Sequence, residues 1–424
     1  MTVAILLGVL FPALALGIPI AYSLLLASFI AILISSPGIS FGMVAQYLVT
    51  ANDSFPIMAV PFFILAGLIM GRGGISRRLF EVSNAFVGHI PGGAGIAAVV
   101  TAMFFSAISG SGPATVAAIG GIMIPEMVKK GYGKAFAASL IASAGTIGVV
   151  IPPSIPLVIF GVVTGTSIGD LFLAAVLPGL LMGLVLIGWA VFYAKKHKVE
   201  TGEKFSWKER LSVLNTAKGG LLLPIFILGG IYGGVFTPTE AAVVAVVYSV
   251  IVSWLFYREL NFKGIMETFN SAALTTSALM LIVAAAAIFG LFLTIEEAPQ
   301  AIVTWLTGVS NSPVIVITLA VGLLIVMGTF METIAAVTII SPILVPVLAI
   351  AGMDPVQVGV VVVLLLAIGF ITPPLGINLF IAAATAKIPV QKAATAILPG
   401  FILLLVVGFI VSFVPILSMA FVSQ

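Results

Sequence analysis

The chain has 424 residues, of which 61% are hydrophobic and only 7% are charged. A water-soluble domain carries about 25% charged residues, so this composition excludes a soluble protein and predicts one that crosses a membrane many times. The chain contains no cysteine, which excludes disulfides, thiol catalysis and cysteine-based metal sites.

Hydrophobic segments follow one another along the whole chain. Met1 to Leu16 lacks a basic region and an Ala-x-Ala cleavage site, so we expect a mature helix rather than a cleaved signal peptide. A spanning helix needs about 20 apolar residues. The segments lie near 3–16, 19–35, 54–71, 92–108, 113–128, 134–164, 170–193, 219–236, 239–257, 265–294, 313–327, 333–350, 355–385 and 390–414.

Two pairs of these segments are short and closely spaced. Four residues, Ser109-Gly110-Ser111-Gly112, separate the first pair, and Gly328 to Glu332 separate the second. Each pair either spans the membrane twice or enters and returns from one side as a re-entrant hairpin. Lys and Arg flank the first pair on both sides, so both of its ends are cytoplasmic under either alternative. The short length and the small polar residues at the tip favour a hairpin.

A break in a hydrophobic helix occurs twice, 221 residues apart. Gly148 to Ser154 contains Pro152-Pro153, and Gly369 to Leu375 contains Pro373-Pro374 (369 − 148 = 221; 373 − 152 = 221). Paired Gly/Pro interruptions in the two halves of a membrane protein point to a transporter binding site. Each repeat has an odd number of crossings, five, so the second repeat is inverted relative to the first. The prediction is an all-α polytopic membrane fold with inverted repeats: a first repeat at 1–194 (hairpin 92–128, broken helix 134–164), a cytoplasmic linker at 195–218, and a second repeat at 219–424 (hairpin 313–350, broken helix 355–385).

The charged residues sort between the two sides of this arrangement. All 17 Lys and Arg residues become cytoplasmic, and both termini lie outside. The outer side carries Asp53, Asp170, Glu240, Glu296, Glu297 and Asp354. We also expect a short amphipathic helix in the linker near Trp207. The segments 75–90 and 297–311 are predicted to lie along the interface as arms that join a fixed part to a moving part.

The first hairpin tip, Ser106 to Thr115, and the first helix break are candidate binding elements. Non-helical backbone at membrane depth must be satisfied by protein, water or an ion. Hydroxyls and free carbonyls suit an alkali cation, and the N-terminus of the following helix suits an anion. The alternatives are that the small residues only allow tight helix packing and that the prolines only make a kink.

Glu332 lies at the second hairpin tip, and an acid near the bilayer midplane is costly enough to indicate function. It is predicted to bind sodium, to carry a proton, or to hold the tip by accepting backbone N–H bonds. The second helix break adds Thr372 and Asn378, and the Asn378 amide can both donate and accept hydrogen bonds.

Enzyme functions are excluded because the sequence lacks the catalytic motifs that they require. Ser109-Gly110 is similar to part of the Gly-x-Ser nucleophile motif of intramembrane proteases, but position 107 is Ala. Every Lys falls at the cytoplasmic edge, so no membrane-embedded base is available. There is neither a His-Glu-x-x-His motif nor a P-loop Lys in the glycine-rich tip.

Three motifs together resemble one family. Ser109-Gly110-Ser111-Gly112-Pro113-Ala114-Thr115, Ile151-Pro152-Pro153-Ser154 and Thr372-Pro373-Pro374-Leu375-Gly376-Ile377-Asn378 resemble the large membrane subunit of tripartite ATP-independent periplasmic (TRAP) transporters, the DctM-type permeases. The resemblance covers essentially the whole chain, and the sequence looks closest to the sialic-acid type. It implies an elevator-type ion-transporter fold and sodium-driven uptake of an organic acid across the bacterial inner membrane by an elevator mechanism. The implied substrate is sialic acid (N-acetylneuraminate), delivered by a periplasmic binding protein. The alternatives are a C4-dicarboxylate or other organic-anion carrier coupled to sodium or protons, and a carrier that needs no binding protein.

The same resemblance implies partners and site residues. The partners are a periplasmic substrate-binding protein and a small four-helix (DctQ-type) membrane subunit, which we expect on a separate polypeptide because no such segment precedes Met1. Two or more Na⁺ ions would bind, one at the first tip and break and one at the second. The predicted sodium ligands are Ser106, Ser109, Gly110, Gly145, Gly148 and Pro152 for the first, and Gly328, Thr329, Glu332, Thr372 and Pro373 for the second. The predicted substrate-binding residues are Ser109, Ser111, Thr115, Ser154, Thr333 and Asn378.

Overall fold

The computed structural model describes residues 2–35, 40–298, 300, 301, 304, 312–373 and 375–422, and within these residues the chain is helical, with no β-strand. Six of the described helices are long and apolar enough to cross a membrane, or up to eight if each bent pair counts as one span. In lipid, a helix satisfies its own backbone hydrogen bonds, which is why such apolar runs adopt this structure. The predicted all-α polytopic class is therefore confirmed.

The helices follow in chain order. The first half contains α1 (Thr2–Ala15), α2 (Ile20–Ser35), α3 (Phe41–Thr50), α4 (Ala59–Arg72), α5 (Ile75–Val87), α6 (Gly93–Ser109), α7 (Gly112–Lys129), α8 (Lys134–Thr146), α9 (Ile155–Thr164) and α10 (Ile168–His197). The second half contains α11 (Trp207–Tyr232), α12 (Pro238–Ile251), α13 (Phe262–Ile295), α14 (Pro313–Phe330), α15 (Thr333–Ile350), α16 (Pro355–Gly369), α17 (Ile377–Ala386), α18 (Val390–Ala396), α19 (Leu398–Phe413) and α20 (Ile416–Met419).

One group of helices, which we call the outer group, consists of α2, α4, α12 and α13. Helix α4 packs against α12 and α13, and α2 packs against α13. Two long-range hydrogen bonds reach these helices. The Thr239 hydroxyl in α12 donates to the Phe55 carbonyl before α4 at 2.9 Å, and the Asn52 amide after α3 donates to the Met280 carbonyl in the middle of α13 at 3.1 Å. Helix α5 joins this group through α11.

The second group, the inner group, contains two helical hairpins and two broken helices. The first hairpin is α6–α7 and the second is α14–α15. The broken helices are α8–α9 and α16–α17. Helix α7 packs against α17, and α15 packs against α9, so each hairpin contacts the broken helix of the other half of the chain. From Val356 to Gly369 every residue of α16 is buried, as expected of a helix that is apolar on all faces.

Helix bounds recur at the spacing of the two double prolines. Helix α7 covers Gly112–Lys129 and α15 covers Thr333–Ile350 (333 − 112 = 221; 350 − 129 = 221). Helix α8 begins at Lys134 and α16 at Pro355 (355 − 134 = 221). The bounds do not give direction across a membrane, so the inverted arrangement and the re-entrant course of the hairpins stay predictions.

The region predicted as the linker between the repeats, 195–218, contains the ends of two helices. Helix α10 continues to His197 and α11 begins at Trp207, so 198–206 lie between them. The amphipathic stretch near Trp207 is not a separate helix, because Ser206 and Glu209 form a capping box and the helix then runs unbroken to Tyr232. Helix α3 was not among the predicted segments.

The two predicted arms have different outcomes. Residues 75–87 of the first arm form α5, whose axis bends by 66° from that of Pro56–Arg72. Most of the second arm, 297–311, lies outside the described residues, as does Pro374 of the second double proline.

Candidate functional site

The first hairpin tip is a tight turn that lies directly on the first helix break. Helix α6 is capped by Gly110, whose φ of 58° is left-handed, and the Ser111 hydroxyl accepts the Ala114 N–H at 3.5 Å to begin α7. A side chain at Gly110 would place its Cβ 2.9 Å from the Pro153 carbonyl oxygen. Glycine is therefore required both by the backbone conformation and by the close approach.

A compact cluster of uncharged oxygens forms where the tip meets the break. The hydroxyls of Ser109 and Thr115 are 3.1 Å apart, and the Thr115 hydroxyl donates to the Ser111 carbonyl at 2.8 Å. A Cβ on Gly148 would lie 2.7 Å from the Thr115 hydroxyl oxygen and 2.8 Å from the Ser111 carbonyl oxygen. Ser109 and Thr115 are buried. Hard oxygen ligands without a fixed charge suit an alkali cation. Ser109 and Gly148 belong to the predicted first sodium site, whereas Thr115 was predicted to bind substrate, and both roles stay predictions.

The first helix break results from its prolines. Helix α8 ends at Thr146, a 3-10 turn covers Ile147–Val149, and α9 begins only at Ile155. Pro152 and Pro153 have no N–H to donate, which leaves carbonyl groups without helical partners. Gly145 packs against the tip, since a Cβ on Gly112 would lie 3.0 Å from the Gly145 carbonyl oxygen.

The second hairpin tip is built differently. Its helix α14 ends at Phe330, and Glu332 begins α15 by accepting the N–H groups of Ile334 at 2.9 Å and Ala335 at 3.2 Å through one carboxylate oxygen. The tip-holding role, one of the three predicted for Glu332, is thus observed in the geometry. Its roles in sodium or proton binding stay predictions.

Around the second break, backbone rather than hydroxyl groups come together. A Cβ on Gly328 would lie 2.9 Å from the Leu366 carbonyl oxygen and 3.3 Å from the Gly369 Cα. The Thr329 hydroxyl donates back to the Ile325 carbonyl at 2.9 Å, and the Thr372 hydroxyl donates to the Ile368 carbonyl at 3.3 Å. The two hydroxyls of the second candidate sodium site therefore bond back within the chain segments that carry them, whereas the Ser109 and Thr115 hydroxyls of the first site contact each other.

A cavity of about 340 Å³ lies between the two tips. Its polar wall comes from Ser109, Ser111, Thr275, Glu332 and Thr333, and the rest is mostly apolar. The Thr333 hydroxyl is buried without a hydrogen-bond partner among the described residues. The wall contains neither Lys, Arg nor His in the part of the chain that the structure describes.

Several predicted residues lie near this cavity but not in its wall. The Ser154 hydroxyl donates to the Val149 carbonyl at 2.5 Å and accepts the Leu157 N–H, so it caps α9. The Asn378 amide donates to the Ala142 carbonyl at 3.3 Å, and its oxygen is buried without a partner among the described residues. Their contact with substrate stays a prediction.

Three further predicted sodium ligands, Ser106, Pro152 and Pro373, do not belong to the oxygen cluster. The Ser106 hydroxyl donates to the Ala102 carbonyl, one turn before the tip. Pro152 is buried and Pro373 is half-buried.

The outer-group side of the cavity was missed by sequence reasoning. It consists of Ile64, Gly67 and Leu68 on α4, with Thr275 and Leu279 on α13. A Cβ on Gly67 would lie only 3.0 Å from the Ser109 Cα. The backbone of α4 therefore contacts the first tip at Gly67 without an intervening side chain. These residues lie within ordinary apolar helices and have no break or charge that would distinguish them in the sequence.

Comparisons with known proteins agree on one family. The model of the DctM component of tripartite ATP-independent periplasmic transporters matches residues 7–417. The isethionate TRAP transporter permease protein DctMQ of Oleidesulfovibrio alaskensis is 44% identical over 96% of this chain, which spans 64% of that protein's length. The C4-dicarboxylate TRAP transporter large permease protein DctM of Pseudomonas aeruginosa is 42% identical, with 94% of this chain and 93% of that protein covered. The sialic acid TRAP transporter large permease protein SiaM of Vibrio cholerae is 37% identical, with 96% and 95% covered.

A solved structure shares the fold at low sequence identity. The YdaH transporter of Alcanivorax borkumensis superposes with a TM-score of 0.63 over 86% of each chain, at 13% identity. At that identity the likeness concerns the fold alone, and it is the fold of a membrane transporter.

Proposed function

The chain belongs to the DctM-component family of tripartite ATP-independent periplasmic transporters, and we propose that it drives sodium-coupled uptake of an organic acid across the bacterial inner membrane. It is a multi-pass transport permease rather than an enzyme, as its relatives are. The observation that supports the proposal most directly is the cavity between the two hairpin tips, with a buried oxygen cluster beside it.

The cavity wall suits an organic anion even though it holds no cationic side chain in its described part. The first residues of α7 and α9 line the cavity, and helix N-termini attract negative charge. At the start of α15, Glu332 already accepts two of the free N–H groups. The acidic group of the substrate would therefore bind at the first tip, and the hydroxyls of Ser111 and Thr333 would bind its polar groups.

Sodium coupling is proposed from the oxygen cluster. Ser109, Thr115 and the carbonyls around Gly145 would bind one ion, and the Gly328–Gly369 contact with Thr372 would bind a second. One positive charge moving through 100 mV contributes about 2.3 kcal/mol, so two ions per cycle would concentrate the substrate strongly.

An inverted repeat with elevator movement is proposed as the mechanism. Three pairs of cavity residues are separated by the same 221 positions: Ser111 and Glu332, Pro113 and Ile334, and Val149 and Phe370. This spacing supports a pseudo-two-fold axis through the cavity. The hairpins and broken helices would move as one unit against α2, α4, α12 and α13.

The proposed substrate class is organic acids, and sialic acid is the member of that class predicted from the sequence. Isethionate is the second candidate, because the isethionate relative has a higher identity to this chain than the sialic acid relative does. C4-dicarboxylates are the third.

Two partners are part of the proposal. A small four-helix membrane subunit and a periplasmic substrate-binding protein would complete the transporter, and the fused name DctMQ of the longer isethionate relative supports a second membrane component.

The test is uptake into proteoliposomes that contain the chain and its small membrane subunit. Radiolabelled sialic acid, isethionate and succinate are each offered with their binding protein, with and without an inward sodium gradient. We expect one of them to accumulate only when the gradient and the binding protein are both present. Uptake without the binding protein would identify a conventional carrier, and gradient-independent equilibration would identify a passive pore.

A variant pair ties this activity to the first tip. Ser109→Ala removes a hydroxyl of the oxygen cluster, whereas Ser28→Ala removes a buried hydroxyl that only bonds to the Leu24 carbonyl within α2. Sodium-dependent uptake should be lost in the first variant and kept in the second. Full activity of Ser109→Ala would refute this assignment of the sodium site.

A further inference from the structure

An exposed groove of about 680 Å³ runs between α10 and α19, away from the cavity between the tips. Its apolar floor includes Val185, Gly188 and Phe192 on α10, with Ile402 and Leu403 on α19. Phe192 is 67% exposed and Ile402 is 56% exposed. On a membrane-spanning surface this floor faces hydrocarbon.

One end of the groove is a rigid aromatic wall. Trp189, Tyr193 and His197 follow one another at intervals of four residues along α10. The rings of Tyr193 and His197 stack with centroids 4.0 Å apart, and Phe136 stacks on the other side of Tyr193 at 3.5 Å. Tyr and Trp concentrate at the level of lipid headgroups, which places this end of the groove at the membrane interface.

The same end carries positive charge without a partner. Lys196 and His197 line the groove, and Lys195 and Lys198 are exposed beside them. Within the described residues none of these lysines forms an ion pair. Glu200 follows closely, but its backbone N–H bonds to the Lys130 carbonyl and it is not part of the groove wall.

A long apolar floor with cations at one end only fits an amphiphile with an anionic head. We propose that this groove binds an anionic phospholipid, with the phosphate at Lys196 and one acyl chain along Gly188 and Ile402. Lys196 lies eight residues from Gly188, which is about 12 Å along the helix axis. This distance lets the head and the chain occupy both ends at once. An apolar peptide helix, or the same groove of a second copy, would leave the lysines without compensating charge.

The experiment counts phospholipids retained by the purified chain in native mass spectrometry. The probes are palmitoyl-oleoyl phosphatidylglycerol and the zwitterionic phosphatidylcholine with the same chains. We expect preferential retention of phosphatidylglycerol. Lys196→Ala should weaken it about fivefold, since one Lys at a lipid surface contributes about 1 kcal/mol. Lys263→Ala, which removes an exposed lysine at the start of α13, should leave retention unchanged.

A second variant pair tests the groove itself. Gly188→Leu fills the floor, and a Cβ there meets nothing within 4 Å, so the variant should fold normally. Gly229→Leu is the matched control, because Gly229 is also exposed on a helix with open space around it. Phosphatidylglycerol should raise the unfolding temperature of the native chain and of Gly229→Leu, and not that of Gly188→Leu.

Three outcomes would overturn the proposal. They are equal retention of the two lipids, retention unaffected by both Lys196→Ala and Gly188→Leu, and a dimer that Gly188→Leu dissociates.

Discussion

At the first hairpin tip, single neighbouring atoms limit the space for a side chain at Gly110 and Gly148. Gly110 and Gly148 both lie within about 3 Å of neighbouring oxygen atoms, measured from the position a Cβ would occupy. The contacts join the tip, the helix break and the Ser109–Thr115 hydroxyl pair into one buried unit. A change of one methyl group at this place should therefore act on ion binding before it acts on the fold.

We predict that Gly148→Ala impairs sodium-dependent uptake. Its Cβ would lie 2.7 Å from the Thr115 hydroxyl oxygen, and overpacking of this kind costs about 1–3 kcal/mol. The sodium concentration for half-maximal uptake should rise by at least roughly fivefold. Gly121→Ala is the control, since a Cβ there meets nothing within 4 Å. Equal sodium dependence of the two variants would show that Gly148 does not border an ion site.

Variants of Glu332 separate its capping role from its charge. Glu332→Ala removes the acceptor for the Ile334 and Ala335 N–H groups, so we expect a loss of about 1 kcal/mol in the free energy of unfolding. Glu332→Gln keeps an oxygen that accepts these bonds and should lose less. Thermal unfolding in detergent and sodium-dependent uptake are measured for both. If the Gln variant is stable but has lost its sodium dependence, the negative charge itself binds the ion.

At this scale the sequence predicted the tips better than their surroundings. The run Ser109 to Gly112 and the double prolines stand out because glycine, serine and proline are unusual in the middle of an apolar segment. Gly67 and Thr275 did not stand out, although both line the cavity. They belong to helices distant in sequence from the tips, and a local sequence pattern does not indicate which helices pack against each other.

Among the helices, α5 is tied to the outer group by several bonds. Glu259, in the loop before α13, pairs with Arg77 at 2.9 Å and with Arg78 at 2.8 Å. Arg78 also lies 3.8 Å above the Tyr257 ring. From α11, the buried Arg210 donates to the Ala85 carbonyl at 3.2 Å. Helix α5 also packs as extensively on α6 of the first hairpin as on α11. From the polar contacts on the α11 side we predict that movement of the hairpins bends the chain after α5, at Gly88 to Gly92, rather than before it.

A disulfide between α5 and α11 tests this division. A Cβ on Gly220 would lie 3.8 Å from the Ile75 Cβ, which is the usual separation in a disulfide. The chain has no cysteine of its own, so Ile75→Cys with Gly220→Cys gives a single defined cross-link. We expect the oxidised protein to retain most of its uptake activity. Each single variant and the reduced double variant are the controls. Uptake that stops on oxidation and returns on reduction would show that α5 moves relative to α11.

For the whole molecule, most of the fold prediction rested on the 221-residue spacing between the two double prolines. The segments predicted from it coincide with both helical hairpins and both broken helices, and the bounds of α7 and α15 repeat at the same spacing. The spacing does not define the region between the two repeats. The lysines and glutamates of 195–218 indicated a linker, but α10 and α11 extend into it, because charged residues are compatible with a helix beyond the membrane surface. Helix α3 has only ten residues, about half of what a span needs, so it did not resemble one.

The inversion of the second half is the largest prediction still open, and two equivalent residues test it. Lys129 and Ile350 are the last residues of α7 and α15 and are separated by 221 positions. If the halves are inverted, these residues lie on opposite sides of the membrane, as the predicted cytoplasmic placement of all 17 Lys and Arg residues requires. In the otherwise cysteine-free chain, an impermeant maleimide should label Ile350→Cys in spheroplasts. Lys129→Cys should react only after the membrane is disrupted. Asp53→Cys serves as the outside control and Lys263→Cys as the inside control. Labelling of both test positions from the same side would mean that the two halves run parallel, and a sodium-coupled cavity between inverted hairpins would have to be abandoned.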